Sequence, residues 1–241
     1  MARGRHRTEQ LLLTTIFGYP ALAVAEFLPQ ILMNYVMSHR TTRYDLYLYK
    51  TDGWFGFPDF VLGRWIANHH LLTRLAADIY AAPALIFIGV FATYICLCNR
   101  EKWVVLKLLV LGLLIEIPIY FIIPVSGPKY AFKNFPQNPG VVVPHTITLT
   151  DPANGIPSLH TSMAIWIAAL LWRWPWGRVF GIVFLLLTVL TILANGEHYF
   201  LDIVSAVPYS WAVWRLVHGR GFAPAQELVQ SDAGLSKEVA S

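Results

Sequence analysis

Six apolar runs constrain this chain more than any other feature. They cover about residues 11–37, 79–98, 103–125, 160–172, 179–194 and 199–217. A helix that crosses a bilayer needs roughly 20 mostly apolar residues. The fourth and fifth runs are shorter and extend into their flanks. Only 13% of the 241 residues are charged, against about 25% in a soluble domain. The apolar surplus therefore faces lipid rather than filling one large core. The expected fold is an all-α integral membrane protein, a bundle of six transmembrane helices. The first run carries Pro20, Glu26 and Pro29 and lacks a small-residue cleavage site. It reads as a retained span, not a signal peptide.

The net charge of +4 is informative by position and does not point to a nucleic-acid partner. Arg3, Arg5 and Arg7 precede the first run, and Arg100 and Lys102 separate the second from the third. Arg173 and Arg178 lie between the fourth and fifth, and Arg215 and Arg220 close the last. With six crossings these positions share one side, which the positive-inside rule makes cytoplasmic. Both termini are then inside, and a plasma (inner) membrane is the expected location. The first outer loop also carries Arg40, Arg43, Lys50, Arg64 and Arg74, among Asp45, Asp52, Asp59 and Asp78; long loops follow the rule less closely. Residues 1–220 make one membrane domain. Residues 221–241 have no apolar period and are expected to be disordered. Cys96 and Cys98 do not share a helix face and lie near the reducing side, so they read as packing residues.

Two outer loops are long enough for structure of their own. In the first, "DGWFGFPDF" (52–60) gathers aromatics that suit a membrane-interface anchor. The segment after it puts Val61, Trp65, Leu72 and Leu75 near helical spacing, as in a helix lying on the membrane surface. His69 and His70 are about 100° apart on a helix, a poor metal chelate. The second loop, 126–158, holds Lys129, Tyr130, Lys133, His145 and Asp151 among prolines and glycines; aperiodic loops of this length are often functional.

Six crossings bring polar groups from four segments to one membrane face. These are Lys129 with Tyr130, Ser158 with His160, Asn195, and His198 with Asp202. His198 and Asp202 are four apart and share a face if both are helical. A carboxylate there fixes the imidazole tautomer and frees the other ring nitrogen as a nucleophile. In "PSLH" (157–160) proline suits a helix start and Ser158 can cap it. The free amides of that turn make an anion site, and His160 beside them can protonate a leaving oxygen. Together these groups suit phosphoryl transfer, which needs charge stabilisation and positioning above all. Glu26 and Glu116 lie within runs, where an ionisable group is costly; no partner for either is evident from sequence.

"PSLH", with His198 of "GEHYFLD" following His160 by 38 residues, resembles the type 2 phosphatidic acid phosphatase superfamily. It most resembles the membrane branch that contains the inositol phosphorylceramide synthases, and "PVSGPKY" (124–130) looks like that branch's shortened first motif. The resemblance implies that His198 attacks phosphorus and becomes a phosphohistidine. It also implies that Asp202 orients His198, that His160 protonates the leaving group, and that Ser158 and Lys129 hold phosphate oxygens. It implies no metal and no cofactor. Two motif arginines are missing. Pro136 and Gln137 stand where the first motif has Arg-Pro, and Thr191 and Ile192 stand where the third has Ser-Arg. Another cation, Lys133 or Arg64, takes their place, or the substrate carries less charge.

Three functions are expected in order: a membrane lipid phosphate phosphatase working at the outer face, a headgroup phosphotransferase using the same site, and a transporter or channel. Water is abundant at an outer face, which ranks hydrolysis of a lipid phosphate monoester first. Against the third, the polar groups gather at one end and hardly appear deep in runs four to six. The implied partners are the bilayer and a lipid phosphate; oligomeric state is not legible.

Overall fold

The computed structural model describes residues 40–97, 101–140, 147–148 and 155–219, with scattered helical positions between 15 and 39. Most of the first apolar run, with Glu26, and all of Cys98, His145, Asp151 and the tail 221–241 lie outside these residues. The elements with defined bounds are β1 (Thr42–Arg43), α1 (Asp45–Gly53), α2 (Pro58–Ala67), α3 (His70–Leu97), α4 (Lys102–Ile122) and α5 (Pro128–Ala131). They continue with β2 (Ile147–Thr148), α6 (Leu159–Leu171), α7 (Pro175–Ala194) and α8 (Phe200–His218). The two short strands pair antiparallel, Thr42 opposite Thr148 and Arg43 opposite Ile147.

Among the described residues three helices are long and apolar enough to cross a membrane: His70–Leu97, Trp103–Ile122 and Pro175–Ala194. The 13 residues of α6 span about 20 Å, short of the roughly 30 Å of a hydrocarbon core. The 19 residues of α8 are less apolar, carrying Asp202, two serines and Arg215. On α7 the exposed side chains include Val179, Phe180, Ile182, Val183, Leu186, Leu187 and Leu190, an apolar face that suits lipid.

Inside the bundle, hydrophobicity cannot hold helices together against equally apolar lipid, so close packing and buried hydrogen bonds must. Trp166 of α6 is fully buried. Its ring lies where a Cβ on Gly112 of α4 would sit, 2.4 Å away, so only glycine permits that approach. The Trp166 indole N–H donates to Ser210 O of α8 at 3.2 Å, and the Tyr94 hydroxyl of α3 to Leu170 O at 2.8 Å. Phe87, Phe91, Leu108, Leu109, Ile167 and Val213 fill the space between.

A second layer caps the end where α4 and α7 finish and α6 and α8 begin. Helices α1, α2 and α5 make it up. Its core is aromatic: Phe60 packs within 6 Å of Tyr49, Phe132 and Phe135. The reading of 52–60 as an interface anchor is corrected only at its last residue. Trp54 and Phe55 are exposed, but Phe60 is fully buried, because the layer needs an apolar centre of its own. The expected surface helix is corrected as well. It breaks at Asn68, which closes α2, so Val61 and Trp65 belong to α2 while Leu72 and Leu75 open α3. Cys96, expected in packing, is exposed instead.

Candidate active site

Four segments meet under the cap layer, each placed by a local device. Ser158 caps α6: its hydroxyl accepts from Thr161 N at 3.3 Å and Thr161 Oγ1 at 3.1 Å. Pro157 precedes that cap, outside the first turn. The amides of Leu159 and His160 belong to the orphan donors that open any helix. Gly127 precedes α5 at φ 106. A Cβ there would lie 2.2 Å from Glu197 O, so only glycine lets the two loops touch. Lys129 N then donates to Gly196 O at 3.0 Å.

His198 is not on a helix, contrary to the spacing argument; α8 starts at Phe200 with Tyr199 as its cap. Asp202, in the first turn, turns its Oδ2 back to accept from Tyr199 N at 2.8 Å. That same oxygen lies 3.4 Å from His198 Nδ1. The shorter contact of Nδ1 is with Gly155 O, at 3.0 Å. Both neighbours are acceptors only, so Nδ1 carries the proton and Nε2 keeps its lone pair. Nε2 is buried and has no hydrogen-bond partner among the described residues. The His160 and His198 rings lie 6.1 Å apart, and Tyr80 of α3 stacks on His160 at 4.3 Å.

The anion side of the site differs from the sequence expectation. Lys129 Nζ is ion-paired with Glu197, and the Tyr130 hydroxyl donates to the other oxygen of Glu197 at 3.2 Å. Burial alone would lower the Lys129 ammonium, but the hydrogen bond and charge of Glu197 outweigh it and raise it. Asn195, expected to bind substrate, has its amide donating to Ala76 O of α3 at 3.4 Å. Lys133 and Arg64 are exposed. Ile192, where the motif arginine would stand, is fully buried in an apolar cluster. Arg43 is a fully buried guanidinium whose Nε donates to Ser126 Oγ at 3.0 Å.

Sequence reasoning missed Glu197, Tyr80 and Arg43. Glu197 stood inside the quoted "GEHYFLD", and its carboxylate beside an expected phosphate lysine was the available signal. Tyr80 and Arg43 arrive from distant segments and carried none. Glu116, for which sequence showed no partner, accepts from the Tyr120 hydroxyl at 2.8 Å; that hydroxyl also lies 3.0 Å from Pro157 O. Among the described residues no group of three or more His, Cys, Asp or Glu could hold a metal.

Three carboxylates of the cap layer are fully buried near this site: Asp45, Asp52 and Asp59. Burial pushes Asp45 up to about 6 and Asp52 up to about 7, from 3.8. Burial, then the charge of Asp52, pushes Asp59 up to about 7. The folded chain thus holds more protons than the unfolded chain between those values. Their contribution to stability is full below about pH 4 and lost as pH rises through 6 to 7. Asp59→Asn removes one such group. Its thermal midpoint in detergent should fall less than wild type's between pH 5 and 8, by a few degrees. Equal slopes would contradict the buried-acid assignment.

A family model described as the PAP2 superfamily matches residues 46–216. No curated protein and no solved structure matches.

Proposed function

The chain belongs to the PAP2 superfamily, the type 2 phosphatidic acid phosphatases and their relatives, and on that premise we propose that it cleaves a phosphate ester of a membrane lipid through a phosphohistidine at His198. Membership supports a lipid phosphate activity of the phosphatase or phosphotransferase type. The observation that carries the mechanism is the state of the His198 ring. With Nδ1 tied to Gly155 O and close to Asp202, Nε2, which has no partner among the described residues, is a nucleophile ready to attack. Its lone pair forms the N–P bond while the bond to the leaving oxygen breaks. His160 delivers a proton to that oxygen, and the α6 amides with Lys129 take up charge on the phosphoryl oxygens.

The acceptor in the second step is water or an alcohol, since the first product leaves before it arrives. Hydrolysis of a monoester, at an outer face with both termini cytoplasmic and six crossings, is the first reading. It rests on the distribution of basic residues and on the access of water. One observation favours the second reading, transfer of a headgroup as in the inositol phosphorylceramide synthase-like branch. Lys129 is already neutralised by Glu197, so the site offers less positive charge than a doubly charged monoester calls for.

The test is incubation of purified protein with lipid phosphate monoesters and diesters, scoring inorganic phosphate and new phospholipid. Phosphate from a monoester is the expected product. New phospholipid with little phosphate would exchange the two readings, and neither product from any lipid phosphate would reject both. Glu197→Gln frees Lys129 from its counter-charge. It should lower KM for a monoester about three- to tenfold, and more than for a diester of the same lipid. An unchanged ratio of the two KM values would show that the pair opens without cost.

A further inference from the structure

Two buried carboxylates of the cap layer have no part in the chemistry above. Asp45 and Asp52 are seven residues apart on α1, two turns, and so share one face. Asp45 accepts from Ser126 N at 3.1 Å, from Gly127 N at 2.9 Å and from the Tyr199 hydroxyl at 3.2 Å. Asp52 accepts from Phe200 N at 2.7 Å and Leu201 N at 3.3 Å. Of the Asp45 donors, Ser126 and Gly127 make the turn that leads to Lys129, and Tyr199 caps α8 beside His198. The Asp52 donors are in the first turn of α8, between His198 and Asp202. One face of one helix therefore grips both segments that carry the candidate chemistry.

Packing alone would not select carboxylates here. A buried carboxylate is expensive, and an apolar side chain would fill the same space at no such cost. A carboxylate adds directed acceptors. The first amides of α8 have no intrahelical acceptor, and the positive end of the helix dipole favours an anion against them. Phe55, just beyond α1, packs on Phe200 with ring centroids 4.9 Å apart, fixing the same turn from its apolar side.

We propose that Asp45 and Asp52 are positioning residues, through which α1 sets the distance between Lys129 and the His198–Asp202 pair. The kinetic consequence rests on the phosphohistidine reading; the structural one does not. Misplacing a reacting group by about 1 Å costs on the order of 10²-fold in rate. Asn keeps one acceptor oxygen of each carboxylate but turns an NH2 toward backbone donors.

The experiment uses full-length protein in lipid nanodiscs. Asp52→Asn should lower kcat roughly 10- to 100-fold and leave KM within about threefold, because binding groups are kept while their alignment is lost. Amide hydrogen exchange should rise about tenfold over 199–202 in Asp52→Asn and over 126–129 in Asp45→Asn, with α3 and α4 unchanged. Asp52→Glu keeps the charge and displaces the carboxylate by one methylene. It should also lower kcat, and it decides the matter if an Asn variant does not fold. Unchanged exchange at both segments would overturn the inference, as would exchange that responds while kcat does not. If the wild type turns over no lipid phosphate, the phosphohistidine reading has failed, and the exchange arm alone accepts or rejects the clamp.

Discussion

His198→Ala is expected to reduce turnover of a lipid phosphate by at least about 10³-fold, with the fold intact. A covalent nucleophile has no substitute in the same step, so its removal leaves only what binding and charge stabilisation supply. The local structure supports a clean experiment. His198 sits in a loop rather than on a helix, and its ring bonds the backbone at Gly155 O. Alanine removes that bond and a buried ring, a loss to be checked by thermal melting in detergent. Asp202→Asn should cost less, about 10- to 100-fold, because Gly155 O still holds Nδ1 in its protonated form. A His198→Ala protein with more than a tenth of wild-type activity would end the phosphohistidine account.

His160→Ala should cost about 10²–10⁴-fold on a lipid ester, the usual range for a positioned general acid. The loss should depend on the leaving group. An alkoxide departs poorly without a proton, whereas a nitrophenolate needs none. The variant should therefore be severely slow on the lipid and close to wild type on a nitrophenyl phosphate ester. Tyr80 stacks on the His160 ring at 4.3 Å, so Tyr80→Phe, which retains the ring, should leave this selectivity in place. Equal losses on both substrates would make His160 a binding or packing group rather than the acid.

Much of this site was legible in sequence because its signals are local. Ser158 caps α6 as its position before an apolar run predicts, and Asp202 lies in a first turn where a carboxylate suits the helix dipole. The apolar runs located the bundle helices to within a few residues at most ends. Where the reading departed from the structure, the cause is helix capping or tertiary contact. His198 and Asp202 approach one another, but across a helix cap rather than along a helix face. Asn68 divides a segment whose apolar spacing runs on unbroken, because spacing does not register a capping geometry. The charge pattern of the first outer loop was read as an exception to a topology rule. In the fold, Arg43, Asp45, Asp52 and Asp59 are fully buried, and Asp45 and Asp52 hold the backbone of the site. Nothing in their sequence neighbourhood distinguishes such carboxylates from solvated ones. Their partners, Gly127 and Phe200, are 82 and 148 residues away along the chain.

The central claim is a covalent bond between phosphorus and His198 Nε2, and trapping that bond tests it most directly. Purified protein would be mixed briefly with a lipid phosphate labelled at phosphorus, denatured in alkali, digested and mapped by mass spectrometry. The account predicts label that survives alkali, is lost in acid, sits on the peptide containing His198 and is absent from His198→Ala. Label on Ser158, or product formed within one turnover with no labelled protein at any time, would contradict it.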